Sequence, residues 1–186
     1  MTAGTGPAGR GSQGRRGQTV VEFALLLPIL LVLFFAVLEG SLLLLTVGGV
    51  RYAAAQAATQ AAELGNATYA DTQQSSSGPT GAVQAIKSSP GVTALGTVTE
   101  VDIYRLAQQS NGQLTVDPNA YNRYRLDGSS ISVTWPPSSR NVRNGSSDYL
   151  GVTIYYQYQW QSGQVLGATA LQLSQTFDAR IEPQRY

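Results

Sequence analysis

Phe23-Ala24-Leu25-Leu26-Leu27-Pro28-Ile29-Leu30-Leu31-Val32-Leu33-Phe34-Phe35 opens an apolar tract that runs to Val50 and carries a single charge, Glu39. Built as an α-helix at about 1.5 Å per residue, the tract is roughly 42 Å long. A bilayer core of about 30 Å needs only about 20 such residues. Leu25 to Phe35 is apolar on every side, a pattern that suits lipid or a helix bundle rather than a helix lying on a soluble surface. Pro28 withdraws a hydrogen bond from the carbonyl of Ala24 and predicts a bend there, which a membrane helix tolerates when neighbours re-satisfy the backbone.

The flanks orient the tract. Arg10, Arg15 and Arg16 precede it with no acid among them, and a long polar region of mixed charge follows. The positive-inside rule therefore places the N-terminus in the cytoplasm and the bulk of the chain outside, as a single-pass protein of the cytoplasmic (inner) membrane. Residues 1–17 hold Gly, Thr, Ser and Arg with nothing to pack, and read as a disordered basic leader. The tract is too long for the h-region of a secretory signal, which runs about 7–15 residues. Gly17-Gln18-Thr19-Val20 after Arg15-Arg16 also fits a twin-arginine signal poorly.

Composition removes whole classes of chemistry. The 186 residues include no His and no Cys, so Cys/His zinc sites, Ser-His-Asp triads, thiol nucleophiles and disulfides are excluded. Charged residues are 12% and the net charge is +1, without the clustered basic surplus that nucleic-acid binding by phosphate neutralisation needs. Lys87 is the one lysine, which leaves few nucleophile–base pairs for an enzyme. No cofactor or metal is expected. Asp117 to Asp127 departs from a calcium loop, having Asn122 at the sixth position and no terminal Glu. The Tyr-rich run Tyr155 to Trp160 could stack sugars, but core packing and ordinary strand composition account for it more simply.

Glu22 stands at the entrance of the tract, five residues after Gly17. A carboxylate near hydrocarbon is costly and marks a functional hypothesis. Solvation at the interface, or the positive end of a helix N-terminus, is the plainer account. Glu39 falls about 30 Å along the helix from Gln18, near the outer interface, where solvation is expected.

Arg15-Arg16-Gly17, then Gln18-Thr19-Val20-Val21-Glu22-Phe23, then Ala24-Leu25-Leu26-Leu27-Pro28, resembles the processing and assembly segment of type IV pilin-like proteins. More closely it resembles the TadE-like family of the tight-adherence pilus. Arg180-Ile181-Glu182-Pro183 near the C-terminus adds to the likeness. The resemblance implies cleavage by a prepilin peptidase after Gly17, with Gln18 as the first mature residue and Glu22 as the fifth. Phe23 stands where the family usually has Tyr, keeping the ring without the hydroxyl. Glycine has no side chain to obstruct a narrow cleavage site. In pilins, the resemblance implies, the glutamate pairs with the terminal amine of a neighbouring subunit and sets the register between helices; an unpaired carboxylate in such a bundle is costly. Implied partners are the peptidase, other pilin or pseudopilin subunits, an inner-membrane assembly platform and membrane lipid, with no nucleic acid. The implied function is that of a minor pilin or pseudopilin supporting assembly or adhesion, not an enzyme. The alternative is a single-pass anchored binding or adhesin module outside any pilus, for which neither Gly17 nor Glu22 would be needed.

The expected fold is α+β, with a transmembrane and assembly helix over 18–50, an Ala-rich extension over 51–64 and an extracytoplasmic head over 65–186. The extension either lies close against other helices or a sheet, or is a plain solvated stalk. Gly65-Asn66 predicts its stop, and residues 71–80 a flexible loop. A short helix is expected over 81–88, then an antiparallel sheet of about four or five strands. Strands are predicted at 97–106, 121–126 and 129–135, the last two joined by a two-residue turn at Asp127-Gly128. The clearest alternation is Leu150, Val152, Ile154, Tyr156, Tyr158 and Trp160, followed by a second run over 171–181 that should pair with it as a hairpin.

Overall fold

The computed structural model describes residues 13–72, 80–90, 92, 96–161, 163 and 170–183. The chain is α+β: one long helix, one short helix and a five-stranded antiparallel sheet. Residues 1–40 and 41–186 form two compact units. Helix α1 spans Gln13–Leu64 and includes Pro28. It starts before the expected Gln18, so residues 13–17 are helical where a disordered stretch was expected, while residues 1–12 lie outside the described residues. Gln13, Arg15 and Arg16 are good helix formers, and Gly14 and Gly17 each cost only about 1 kcal/mol against alanine.

In the first unit every residue from Gly17 to Leu38 is exposed. Phe23, Leu25, Ile29 and Phe34 each leave more than half of their surface uncovered. Among the described residues, this is the one helix long and apolar enough to cross a membrane.

In the second unit the helix behaves differently. Val50, Ala53, Ala54, Ala57, Ala58, Ala61 and Ala62 are buried in one stripe at helical spacing, while Arg51, Tyr52, Thr59 and Glu63 face out. The small side chains let the helix backbone close on the sheet, so the Ala-rich extension is a core element and not a solvated stalk. Gly65 ends the helix with φ +55° and its N–H bonds the Ala61 carbonyl at 3.0 Å, the left-handed stop that glycine accepts without strain. The Glu182 N–H then donates to the Ala62 carbonyl at 3.0 Å, so the segment after the last strand satisfies another orphan carbonyl of the helix end.

Helix α2 (Ala82–Ser88) buries Ala82, Val83, Ala85 and Ile86 against the same core. Strands β1 (Gly96–Gln108), β2 (Leu114–Tyr124), β3 (Ser130–Val133), β4 (Tyr149–Tyr158) and β5 (Leu171–Arg180) lie in the order β3-β2-β1-β4-β5. β4 and β5 pair as expected, Val152 against Phe177 and Thr153 against Thr176. One sheet face carries Val101, Ile103, Leu150, Val152, Ile154 and Tyr156 onto the helices; the other is polar and faces away from them.

Three sequence expectations change. β2 begins seven residues earlier than predicted, because Pro118, which cannot donate to a ladder, sits where the β1–β2 register slips between Tyr104 and Leu106. The Asp127-Gly128 hairpin is a three-residue loop, closed by the Arg125 N–H on the Ser129 carbonyl at 2.9 Å. Only Gly128 has positive φ, at +89°, whereas a two-residue type I′ turn needs it twice. Asp71, expected in a flexible loop, is buried; residues 73–79 of that loop lie outside the described residues.

Asp71 is placed by a tight backbone crossing. The N–H groups of Ala82 and Val83 donate to the carbonyls of Ala70 and Asp71 at 2.9 and 2.8 Å. A Cβ on Gly81 would meet the Tyr69 carbonyl oxygen at 2.5 Å, and backbone cannot swing aside as a side chain can. Gly81→Ala is therefore expected to destabilise the sheet unit by about 1–3 kcal/mol, read as a lower thermal midpoint; an unchanged midpoint would show that the crossing relaxes freely.

Candidate functional site

Two regions carry chemistry, one in each unit. In the first, Gln18 and Glu22 are one helical turn apart, and the Gln18 Nε2 amide donates to Glu22 Oε1 at 3.0 Å. Both side chains are exposed, as are Phe23 and Pro28. Nothing in the folded chain asks for glycine at 17: a Cβ there would meet no atom within 4 Å, and its φ is not in the left-handed region. A helix interior pays roughly 1 kcal/mol for such a glycine, without any gain in packing within the chain. Arg15 and Arg16 lie in the helix one turn or less before Glu22's own turn begins.

Glu39, expected to be solvated, is instead buried, with 6% of its surface exposed. A carboxylate that far from water is tolerated only when polar partners replace its hydration.

In the second unit, the polar face of the sheet forms an open cleft of about 690 Å³. Strand period two places Glu100 and Asp102 of β1 side by side on this face. Register then sets Arg123 of β2 opposite Asp102, and Tyr155 of β4 opposite Glu100. Arg123 Nε donates to Glu100 Oε1 at 2.5 Å and lies 3.9 Å from Asp102 Oδ1. The Tyr121 hydroxyl donates to Asp102 Oδ2 at 2.6 Å. Among the described residues Asp102 Oδ1 has no hydrogen-bond partner, although the residue is only 2% exposed.

The cleft floor is rigidly built. The Tyr104 and Tyr121 rings stack at 5.2 Å with 10° between planes. Tyr104 fits because Gly151 faces it: a Cβ at 151 would fall inside the ring. The Tyr104 hydroxyl meets Thr153 Oγ1 at 3.0 Å, and Thr153 meets Thr176 at 2.8 Å. Burial raises the Tyr104 hydroxyl's pKa, and burial together with the Asp102 carboxylate raises that of Tyr121.

Burial pushes the Asp102 carboxyl up to about 6; the nearby Glu100 adds to the rise, while the Tyr121 hydrogen bond and Arg123 oppose it. Between pH 3.8 and about 6 the folded protein keeps a proton that the unfolded chain has released. The stability tied to that proton is complete below pH 3.8 and is lost as pH rises through about 6. At about 1.4 kcal/mol per pKa unit, the effect is on the order of 3 kcal/mol. Asp102→Asn keeps an acceptor for Tyr121 and removes the buried charge. It is expected to raise stability above about pH 7 and to leave it unchanged near pH 3.5, measured by urea unfolding across the range. An equal effect at both ends would refute the assignment. Asp117 and Asp127 act in the opposite sense, since hydrogen bonds from Arg105 and from Ser129 hold their carboxyls below the usual range.

The remaining sequence candidates disperse. Asp117 lies within β2 and Asp127 in the loop after it, with seven strand residues, about 23 Å, between Asp117 and the end of β2, and each is already engaged, by Arg105 and Ser129. Tyr156 and Tyr158 are fully buried, so most of the Tyr-rich run is core; Tyr155, 39% exposed, alone of these tyrosines reaches the cleft. The cleft itself was not foreseen. Its one sequence signal was the pair of acids two apart on the predicted strand 97–106; the strands that supply Tyr121, Arg123 and Tyr155 were expected, but not that they would flank β1.

Residues 17–59 match the family model of TadE-like proteins. The match begins at Gly17, contains Gln18, Glu22, Phe23 and Pro28, and ends within α1, before the sheet. No curated protein and no solved structure matches the chain.

Proposed function

We propose that the chain is a minor pilin or pseudopilin of a tight-adherence type pilus, cut by a prepilin peptidase after Gly17 and supporting pilus assembly or adhesion. The observation that carries this reading is the match beginning at Gly17, on a helix whose apolar stretch is exposed as far as Leu38, with Glu22 five residues further on. The family is pilin-like and structural, which agrees with a chain without His or Cys. In this reading residues 1–17 are a cytoplasmic leader, the helix is stored in the inner membrane, and the sheet unit lies outside. Cleavage frees an α-amino group on Gln18. The Gln18 side chain that now engages Glu22 at 3.0 Å is neutral, so the new ammonium of a neighbouring subunit is the stronger partner for that carboxylate. Phe23 and Pro28 then lie on surfaces open to lipid, to sister helices and to the assembly platform. The large sheet unit, an addition to the helix that a fibre needs, favours an initiating, tip or accessory position.

The test is intact-mass and N-terminal peptide mass spectrometry of the membrane fraction, with and without a prepilin peptidase. The expected mature terminus is Gln18, free or cyclised to pyroglutamate, and it is lost in Gly17→Trp. Because a Cβ at 17 would meet no atom within 4 Å and position 17 lies outside the sheet unit, this variant is expected to leave the sheet unit folded, as circular dichroism checks, and isolates the peptidase requirement. A terminus at Met1 in cells that hold the peptidase, or a cut near Ala53, overturns the proposal and leaves an anchored binding module.

A further inference from the structure

We infer that the polar face of the sheet is a binding site for a neutral saccharide, with Asp102 Oδ1 accepting a sugar hydroxyl and the Tyr155 ring covering an apolar C–H face. This goes beyond the assembly role and does not depend on processing at Gly17.

Four observations select the ligand class. The first is an unmet acceptor: Asp102 Oδ1 is buried in the cleft with no donor, although Tyr121 serves the other oxygen of the same carboxylate at 2.6 Å. An unsatisfied buried carboxylate oxygen is costly, and a donor entering the cleft relieves that cost. The second is charge. Glu100 and Asp102 together repel an anion, and Arg123, bonded to Glu100 and 3.9 Å from this oxygen, already fills the place that a metal ion or an ammonium group would take between them. A neutral O–H donor meets neither objection.

The third is the mixed character of the lining. Thr99, Ser132, Thr134 and Gln172 surround the acids with groups that both donate and accept, and Tyr155 is 39% exposed beside them. Hydroxyls around an apolar C–H face are what a pyranose presents, and an exposed aromatic ring with a polar rim is its complement. The fourth is size and rigidity. About 690 Å³ falls within the range of small-ligand sites. The stacked Tyr104–Tyr121 pair, the Tyr104–Thr153–Thr176 hydroxyl chain and the Arg123–Glu100 pair hold the floor in place before a ligand arrives.

The experiment uses the full chain in nanodiscs of phosphatidylcholine and phosphatidylglycerol, which carry no sugar headgroups. The probes are maltotetraose, cellotetraose, chitotetraose and a galactose tetramer, with tetralysine as the cationic control, read by saturation-transfer NMR and calorimetry. At least one saccharide is expected to bind, with Asp102→Asn and Tyr155→Ala each weakening it by about tenfold or more. Tyr155 is exposed and Asn is nearly isosteric with Asp, so both variants remain folded, as circular dichroism will verify. No saccharide binding up to about 10 mM, binding that neither substitution alters, or binding of tetralysine in place of the sugars would each overturn the proposal.

Discussion

Arg140→Ala is expected to cost the sheet unit about 3–5 kcal/mol, the usual consequence of removing one member of a buried ion pair. Arg140 and Asp71 are 69 residues apart in sequence, and Arg140 Nη2 lies 2.5 Å from Asp71 Oδ1 with both side chains almost wholly buried. Asp71 Oδ2 accepts from Asn122 Nδ2 and the Tyr124 hydroxyl, each at 2.9 Å. Asn122 also spans to Trp135, donating to its carbonyl at 2.6 Å and accepting its N–H at 2.8 Å. The guanidinium lies 4.6 Å from the centre of the Trp135 ring. One carboxylate thus ties the segment after α1 to β2 and to the turn after β3. Among the described residues two guanidinium nitrogens, Nε and Nη1, have no hydrogen-bond partner, so the pair is only partly compensated and its chief contribution is to fix these segments together.

Domains of this size have about 5–15 kcal/mol in total, so the loss is a large share of the stability. At about 2–4 °C per kcal/mol, the thermal midpoint should fall by about 10 °C. Trp135 fluorescence is the natural probe, because the ring is buried against the lost group. Arg140→Lys keeps the charge but not the fork or the stacking, and should fall between. The pair Asp71→Asn with Arg140→Met removes both charges and should cost less than Arg140→Ala alone. A drop of under about 2 °C in Arg140→Ala would show that water reaches Asp71 and that the network is not what holds these segments.

Glu22→Ala carries the second large effect and follows from the proposed function. Cleavage after Gly17 is expected to continue, because the carboxylate lies five residues beyond the cut. Association with other pilin-like subunits should fall by about 10²–10³, the equivalent of one broken ion pair in a low-dielectric bundle. The readout is the ratio of this chain in the sheared surface fraction to that in the membrane, with cleavage confirmed by mass spectrometry. Among the described residues the exposed Gln18 amide is the hydrogen-bond donor to Glu22, and Glu22 lies outside the sheet unit, so the fold of that unit should not change. Glu22→Gln, which keeps the shape and loses the charge, separates pairing from packing. Equal ratios for wild type and Glu22→Ala would remove Glu22 from assembly and return it to a solvated interfacial role.

What the sequence determined by itself was everything set by local period and apolar length. Phe23 to Val50 could only be a long, lipid-compatible helix, because no shorter element hides so many consecutive apolar residues. The same logic marked the stop at Gly65, the short helix, expected over 81–88 and found at Ala82–Ser88, and the strands β4 and β5 with their correct inward faces. The Gly17–Glu22 spacing was legible for the same reason, since its recognition depends on neighbours in the chain. Tertiary structure decided what each face meets. Ala53 to Ala62 read equally well as a stalk or a buried stripe until the sheet covered it. A strand was expected only from residue 121, yet β2 starts at Leu114 and runs through Pro118, because a slipped register needs no donor there. Asp71 lay in an apparent loop, and Arg140 and Asn122 were ordinary polar residues, until folding brought them together. Asp102, Arg123 and Tyr155 sit on three strands whose order, with β1 between β2 and β4, is set by which faces bury the most apolar surface together. That is a property of the whole assembled layer, and no single segment encodes it.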